Sequence, residues 1–277
     1  MEIRNRVRLQ PVAPGDVRLN DGFWTPRQEV NRRVTIPHQY RMCKETGRID
    51  AFRLTWKPGD PNPPHIFWDS DVGKWIEAAA YTLATHPDPE LERLVEEVVA
   101  LVVGAQQPDG YLNTHYTVVE PDKRWTNLRD CHELYCAGHM TEAAVAYAQI
   151  TGKTVLLDVA RRMADHIDRT FGPGPDKRLG YPGHQEIELA LVKLYRYTGE
   201  KRYLDLAKFF LDVRGTFKQG DKSPENIQAH KPIREQTDIV GHAVRAMYMY
   251  AGVADVAAIT GDEGFMRTMD TIWHNVV

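Results

Sequence analysis

The sequence predicts an all-α protein, an (α/α) toroid built from helical hairpins, on three observations. Apolar residues recur at helical spacing through most of the 277 residues. A Thr-Gly pair closes the first helix of a hairpin at three places, 151–152, 198–199 and 260–261. No convincing run of alternating apolar and polar residues reads as a strand.

Taken in order, residues 1–20 predict an extended N-terminal segment of a single domain spanning 1–277. The stretch PRQEVNRRVTIPHQYRMCKETG (26–47) predicts a helix interrupted near Pro37, because proline has no amide hydrogen for the carbonyl four residues back. SDVGKWIEAAAYTLATH (70–86) and DPELERLVEEVVALVVGAQQ (88–107) form a hairpin through a His-Pro-Asp-Pro turn. CHELYCAGHMTEAAVAYAQITG leads into KTVLLDVARRMADHIDRTFG, where Leu156, Val159, Ala160, Met163 and Ile167 share one face. The next hairpin sets Ile187, Ala190, Leu191, Leu194 and Tyr195 on one helix and Tyr203, Leu206, Ala207, Phe210 and Val213 on the second. The last joins VGHAVRAMYMYAGVADVAAITG to DEGFMRTMDTIWHNVV. The total is about nine helices, joined hairpin to hairpin by loops at 52–67, 108–129, 172–183 and 215–235.

In each hairpin the first helix is apolar nearly all round, and such a helix has to be enclosed. First helices inside and second helices outside describe a toroid whose inner helices all run the same way. Their starts share one rim, and His132, His184 and His242 stand at three of those starts, spaced by 52 and 58 residues. Any one of them could be a cap or a core residue. A cap is more usually Ser, Thr, Asp or Asn, so the recurrence points to a ligand-facing ring near converging positive dipole ends. Glu133 and Glu186, beside the same helix starts, suit the dipole better than acid/base chemistry.

Further candidates lie upstream. In FWDSDVGKW, Phe67, Trp68 and Trp75 surround Asp69 and Asp71, and aromatic faces beside carboxylates suit a sugar. The alternative is a carboxylate cap with core tryptophans, which fits Trp75 best. QQPDGYLNTHY turns at Asp109-Gly110 and presents Tyr111, Asn113, His115 and Tyr116. Cys136 and His139, at i and i+3, are a weak case for a metal.

The charge is nearly balanced, 35 basic residues against 38 acidic, with no basic block, which argues against a nucleic-acid partner. No apolar run is long enough to span a membrane. The charged N-terminus and three cysteines, Cys43, Cys131 and Cys136, without CxxC spacing predict a cytoplasmic protein with reduced thiols.

The succession DGFW, DSDVGKWIEAAAY, AQQPDGYLNTHY, HELYCAGHMTEAAVAY, GHQEIELAL, YLDLAKFFLDVRG and GHAVRAMYMYAGVAD resembles the N-terminal half of the β-L-arabinofuranosidases of glycoside hydrolase family 127, from about residue 16 onward. The resemblance implies an (α/α)6 barrel that removes terminal β-L-arabinofuranose from plant-derived glycans, with His132, His184 and His242 contacting the sugar. Asp69, Trp68, Tyr111 and His115 complete the expected substrate-binding set. Complete members use a zinc-held cysteine thiolate and a glutamate acid/base that lie beyond the matched region. None of the three cysteines here falls in that motif, so no nucleophile, acid/base residue or zinc ligand is assigned to this chain. Four hairpins and a lone helix fall short of a six-hairpin ring, and the chain ends at Val277 as if cut. The expectation is an incomplete barrel whose open edge is covered by further protein or by a second copy in a homo-oligomer. Two rivals are another α/α-barrel sugar enzyme, of the unsaturated glucuronyl hydrolase type, and a non-catalytic helical-repeat binding scaffold.

Overall fold

The computed structural model describes residue 9 and residues 11–220 and 223–277. Most of the first half of the expected extended segment, residues 1–8 and 10, therefore lies outside the described residues. The chain divides into two compact units, one of residues 11–124 and 139–163, the other of residues 1–10, 125–138 and 164–277. No named strand occurs among the described residues, only an isolated bridge between Phe171 and Arg178.

In the first of these units a single 3-10 turn, Pro14–Asp16, precedes α1 (Trp24–Val30) and α2 (Ile36–Glu45). The interruption expected near Pro37 takes another form. A π-helical turn at Asn31–Thr35 joins α1 to α2 with right-handed helical dihedrals at both junctions, and Pro37 falls in the first turn of α2. A widened turn leaves room for the proline ring that a regular helix would not. The helix α3 (Trp68–Thr85) buries Val72, Trp75, Ile76, Ala79 and Ala80, the i, i+3, i+4, i+7, i+8 stripe of an amphipathic helix. Its partner α4 (Pro89–Ala105) buries Leu91, Val95, Val98, Val99 and Val102. The Asp88 carboxylate caps α4 by accepting from the amides of Glu90 and Leu91, both at 3.1 Å, with Pro89 in the first turn. Each large aliphatic side chain so enclosed contributes roughly 1.5–3 kcal/mol. Trp75, 1% exposed, is a core residue as its alternative expectation held, and its indole donates to the Ile36 carbonyl at 3.1 Å. The one-turn α5 (His115–Val118) was not foreseen; α6 (Glu133–Thr151) and α7 (Val155–Thr170) each have residues in both units.

In the other unit α8 (Ile187–Thr198) and α9 (Lys201–Val213) form a tight antiparallel hairpin, as do α10 (Ala243–Thr260) and α11 (Glu263–Val276). The Thr-Gly signal marks all three helix ends: Gly152, Gly199 and Gly261 are left-handed, with φ of 72°, 73° and 69°. Every residue of α8 from Ile187 to Val192 is buried, which is the enclosure predicted for an inner helix. By contrast α10 packs against α8 and α11 but leaves Val244 and Met247 about half exposed, and α11 exposes Trp273 and Val276. No helix among the described residues is long and apolar enough to cross a membrane.

Candidate functional site

The three imidazoles predicted to share a rim are brought together. The ring of His184 lies 5.8 Å from that of His132 and 6.1 Å from that of His242, so the starts of α6, α8 and α10 meet around it. Two phenols complete the cluster, Tyr135 with its ring 4.3 Å and Tyr248 with its ring 5.8 Å from that of His184. Neither was singled out from the sequence. Tyr135 stands at i+3 from His132, which was the available signal.

Backbone proximity explains why glycine precedes histidine in two of the three places. A Cβ on Gly183 would lie 1.7 Å from the carbonyl oxygen of Arg129, and the Gly183 amide donates to the Leu128 carbonyl at 2.7 Å. The loop carrying His184 is thus seated directly on the loop that leads to His132. A Cβ on Gly241 would lie 2.0 Å from the Glu225 carbonyl oxygen, and that glycine is also left-handed at φ 74°.

Beneath the imidazoles runs a buried polar network. Arg214, fully buried, donates to the Pro182 carbonyl (2.8 Å), the Ile227 carbonyl (2.9 Å) and the Glu188 carboxylate (3.1 Å). Glu188 in turn accepts from the Glu186 amide at 3.1 Å. The Gln185 amide donates to Ile227 and to the Gln228 side chain, and Gln228 donates to the carbonyls of Val240 and His242. The segments bearing His184 and His242 are therefore cross-tied from below.

Burial pushes His184 down to about 4, with Arg245 and the other two imidazoles reinforcing it against the opposing Gln185 carbonyl. The ring is neutral at physiological pH. Its Nδ1 hydrogen points to the Gln185 carbonyl oxygen at 2.8 Å, which leaves Nε2 an acceptor. His242 is exposed and serves as the cap of α10, its Nδ1 accepting from the Arg245 amide at 3.4 Å. That geometry places the hydrogen of a neutral His242 on Nε2, so the two rings offer one acceptor and one donor.

The upstream candidates fall in the first unit. Asp69 is 3% exposed and accepts from the Thr114 hydroxyl (2.5 Å) and amide (2.8 Å). Burial raises its carboxyl to about 6, Thr114 working the other way. Trp68 is half-buried with the Arg48 guanidinium 5.0 Å from its ring centre. Tyr111 is wholly buried with Arg124 over its ring, and its amide donates to the turn carboxylate of Asp109 at 3.1 Å. His115 Nδ1 meets the Pro64 carbonyl at 2.7 Å, and Asn113 Oδ1 accepts from the Tyr116 amide. Asp69 and the 111–116 segment thus form one hydrogen-bonded knot.

Asp69 and His184 link stability to pH with opposite signs. An Asp69 carboxyl that keeps its proton to about 6 when folded, against 3.8 ordinarily, contributes stability that is full below 3.8 and lost as pH rises through 6. A His184 that protonates only near 4, against 6.5, contributes stability that is full above 6.5 and lost as pH falls toward 4. Asp69→Asn should therefore steepen the loss of thermal midpoint on acidification, and His184→Gln should flatten it. Midpoint profiles for the two variants that run parallel between about pH 4 and 7 would contradict these assignments.

Glu133 and Glu186 are buried at their helix starts, and Glu133 accepts from the Trp125 amide at 2.8 Å. None of the cysteines joins a disulfide. Burial, with Asp71 adding to it, pushes the Cys43 thiol up, the reverse of what a metal-bound thiolate requires. Cys43 is therefore unsuited to act as a metal-held thiolate.

Helical hairpins with three imidazoles and two phenols gathered at the helix starts, the central His184 neutral, define a helical-hairpin protein equipped to meet hydroxyl groups. The chain belongs to the β-L-arabinofuranosidase family GH127, whose catalytic-domain model matches residues 16–277. It is 47% identical to the non-reducing end β-L-arabinofuranosidase of Bifidobacterium longum subsp. longum, covering 95% of this chain and 46% of that protein. Among solved structures, a GH127 β-L-arabinofuranosidase from Geobacillus stearothermophilus T6 matches with a TM-score of 0.89 at 46% identity, covering 95% of this chain and 45% of that one. A second GH127 β-arabinofuranosidase matches with a TM-score of 0.90 at 46% identity, covering 96% and 43%. The chain thus spans less than half the length of these relatives.

Proposed function

We propose that this chain forms the sugar-binding part of a glycosidase acting on terminal β-L-arabinofuranosyl residues of plant-derived glycans, with His132, His184 and His242 holding the furanose hydroxyls. The observation that carries this is the convergence of the three imidazoles around a ring kept neutral by burial. A sugar hydroxyl both donates and accepts, and His184 Nε2 and His242 Nε2 offer the two complements. The neutral ring of His184 suits a neutral sugar, because it brings no charge that has to be stripped of water on binding. Trp68, Asp69, Tyr111 and His115 are further candidates for glycan contacts, within the other compact unit. On this reading the chain is part of an α/α domain of a cytoplasmic protein of carbohydrate metabolism. The bond-breaking groups and the zinc come from the part of the family domain that this chain does not span. The apolar stripe on α10 is where further protein, from a longer chain or a second copy, would close.

Methyl β-L-arabinofuranoside should bind the purified 277-residue chain without being hydrolysed. His184→Gln should weaken that binding by about tenfold or more, the equivalent of one hydrogen bond of roughly 1.4 kcal/mol. Titration calorimetry that found equal affinity in a normally folded variant would rule out the imidazole cluster as the sugar site.

A further inference from the structure

Beside the loop that carries His184 lies a cleft of about 400 Å³ whose walls include Trp125, Arg178, Leu179, Phe217, Lys218 and Gln219. We infer that this cleft binds the carboxylate-bearing ring of a uronic acid in the glycan. The inference deepens the glycan-binding proposal, on which its choice of a sugar rests.

The charge in the cleft is one-sided. Arg178 and Lys218 are both exposed cations, and no ion pair engages either among the described residues. No carboxylate belongs to the lining. Three acids of neighbouring segments are engaged elsewhere, Asp168 with Lys177 at 3.3 Å, Asp130 with Arg129 at 2.6 Å and Glu133 with the Trp125 amide, while the exposed Asp176 is not part of the lining. Arg178 keeps its guanidinium at the cleft by donating to the Trp125 carbonyl at 3.3 Å. A planar guanidinium with donors to spare and a nearby ammonium fit a carboxylate.

The rest of the wall fits a ring. Trp125 is held firmly: its backbone is left-handed at φ 61°, its amide donates to Glu133, and its indole donates to His166 Nε2 at 3.3 Å. Such a conformation is costly for a bulky residue and persists only where its surroundings impose it. Trp125 itself is buried against His166 and Phe171 and forms the floor, so the apolar surface open to a sugar ring comes from Leu179, which is 64% exposed, and the half-buried Phe217. Position adds the link to the first site. Gln219 bonds both the amide (3.1 Å) and the carbonyl (2.7 Å) of Tyr181, three residues ahead of His184. The cleft therefore borders the segment that leads to His184.

The test uses the 277-residue chain, digalacturonate as the acidic probe, its dimethyl ester as the neutral control and inorganic phosphate as the bare anion. Digalacturonate should bind at least tenfold more tightly than the ester at low salt, and inorganic phosphate should not displace it. Arg178→Gln with Lys218→Gln, both changes at exposed side chains, should abolish that preference while leaving methyl β-L-arabinofuranoside binding intact. His184→Gln should do the reverse, so failure of the imidazole site and failure of the cleft are separable. Equal binding of acid and ester, displacement by phosphate, or an acid preference surviving in the double variant would each overturn the assignment.

Discussion

Arg214→Met is expected to cost this protein about 3–5 kcal/mol of stability, the effect of removing one member of a buried ion pair. The Glu188 carboxylate, 1% exposed, would be left with a charge and no cation beside it, and the Pro182 and Ile227 carbonyls would each lose a donor. The remedy is asymmetric. Arg214→Met combined with Glu188→Leu removes both charges, and apolar replacement of a whole buried pair is often neutral. Here it should recover only part of the loss, since the two carbonyls still lack a partner and each such group costs about 1–3 kcal/mol. Denaturant titration of the two single variants and the double variant checks this. A Met variant within about 1 kcal/mol of the parent would show that water or a neighbouring donor replaces the guanidinium. Because Arg214 grips the backbone on the His184 side and the Ile227 segment together, sugar affinity should fall with stability in the single variant.

How far the architecture was legible follows from what kind of signal each feature leaves. The hairpins left local signals: stripes at i, i+3, i+4 and a glycine wherever an inner helix had to stop, so α3, α4 and α6 to α11 were readable with their ends. The gathering of His132, His184 and His242 was readable for the same reason, since helices packed in parallel align their starts. The π turn at Asn31–Thr35 was not, because the sequence announces a proline but not how the preceding turn yields to it. Tyr248 and the Arg214–Glu188 pair were missed because their significance lies in partners far along the chain, 26 residues apart for the pair, and periodicity reports a face rather than a partner. Tyr111 and Asp69 show the converse. Asp69 drew notice at the start of a helix and Tyr111 in a loop, while burial encloses both and Thr114 holds the Asp69 carboxylate.

The Gly-His pairs join what was legible to what was not, and they allow a graded experiment on the site's backbone. Gly199 has a positive φ of 73° and open space around its missing Cβ, so Gly199→Ala should bear only the left-handed penalty, about 1–2 kcal/mol. Gly183 carries no positive φ but has the Arg129 carbonyl where a Cβ would go, so Gly183→Ala bears only the collision. Side-chain repacking cannot relieve a contact with backbone, which places the loss at or above the usual overpacking range of about 1–3 kcal/mol. Gly241→Ala bears both burdens and should be the worst of the three. The order matters more than the sizes. Separation of the 183 loop from residues 128–129 would carry His184 away from His132, so Gly183→Ala should also lose affinity for methyl β-L-arabinofuranoside, whereas Gly199→Ala, at the far end of α8, should keep it. Thermal midpoints and sugar titrations on the three variants measure both consequences. A Gly183→Ala protein as stable and as avid as Gly199→Ala would mean that the two histidine loops are not seated on each other, and the imidazole cluster would lose its structural basis.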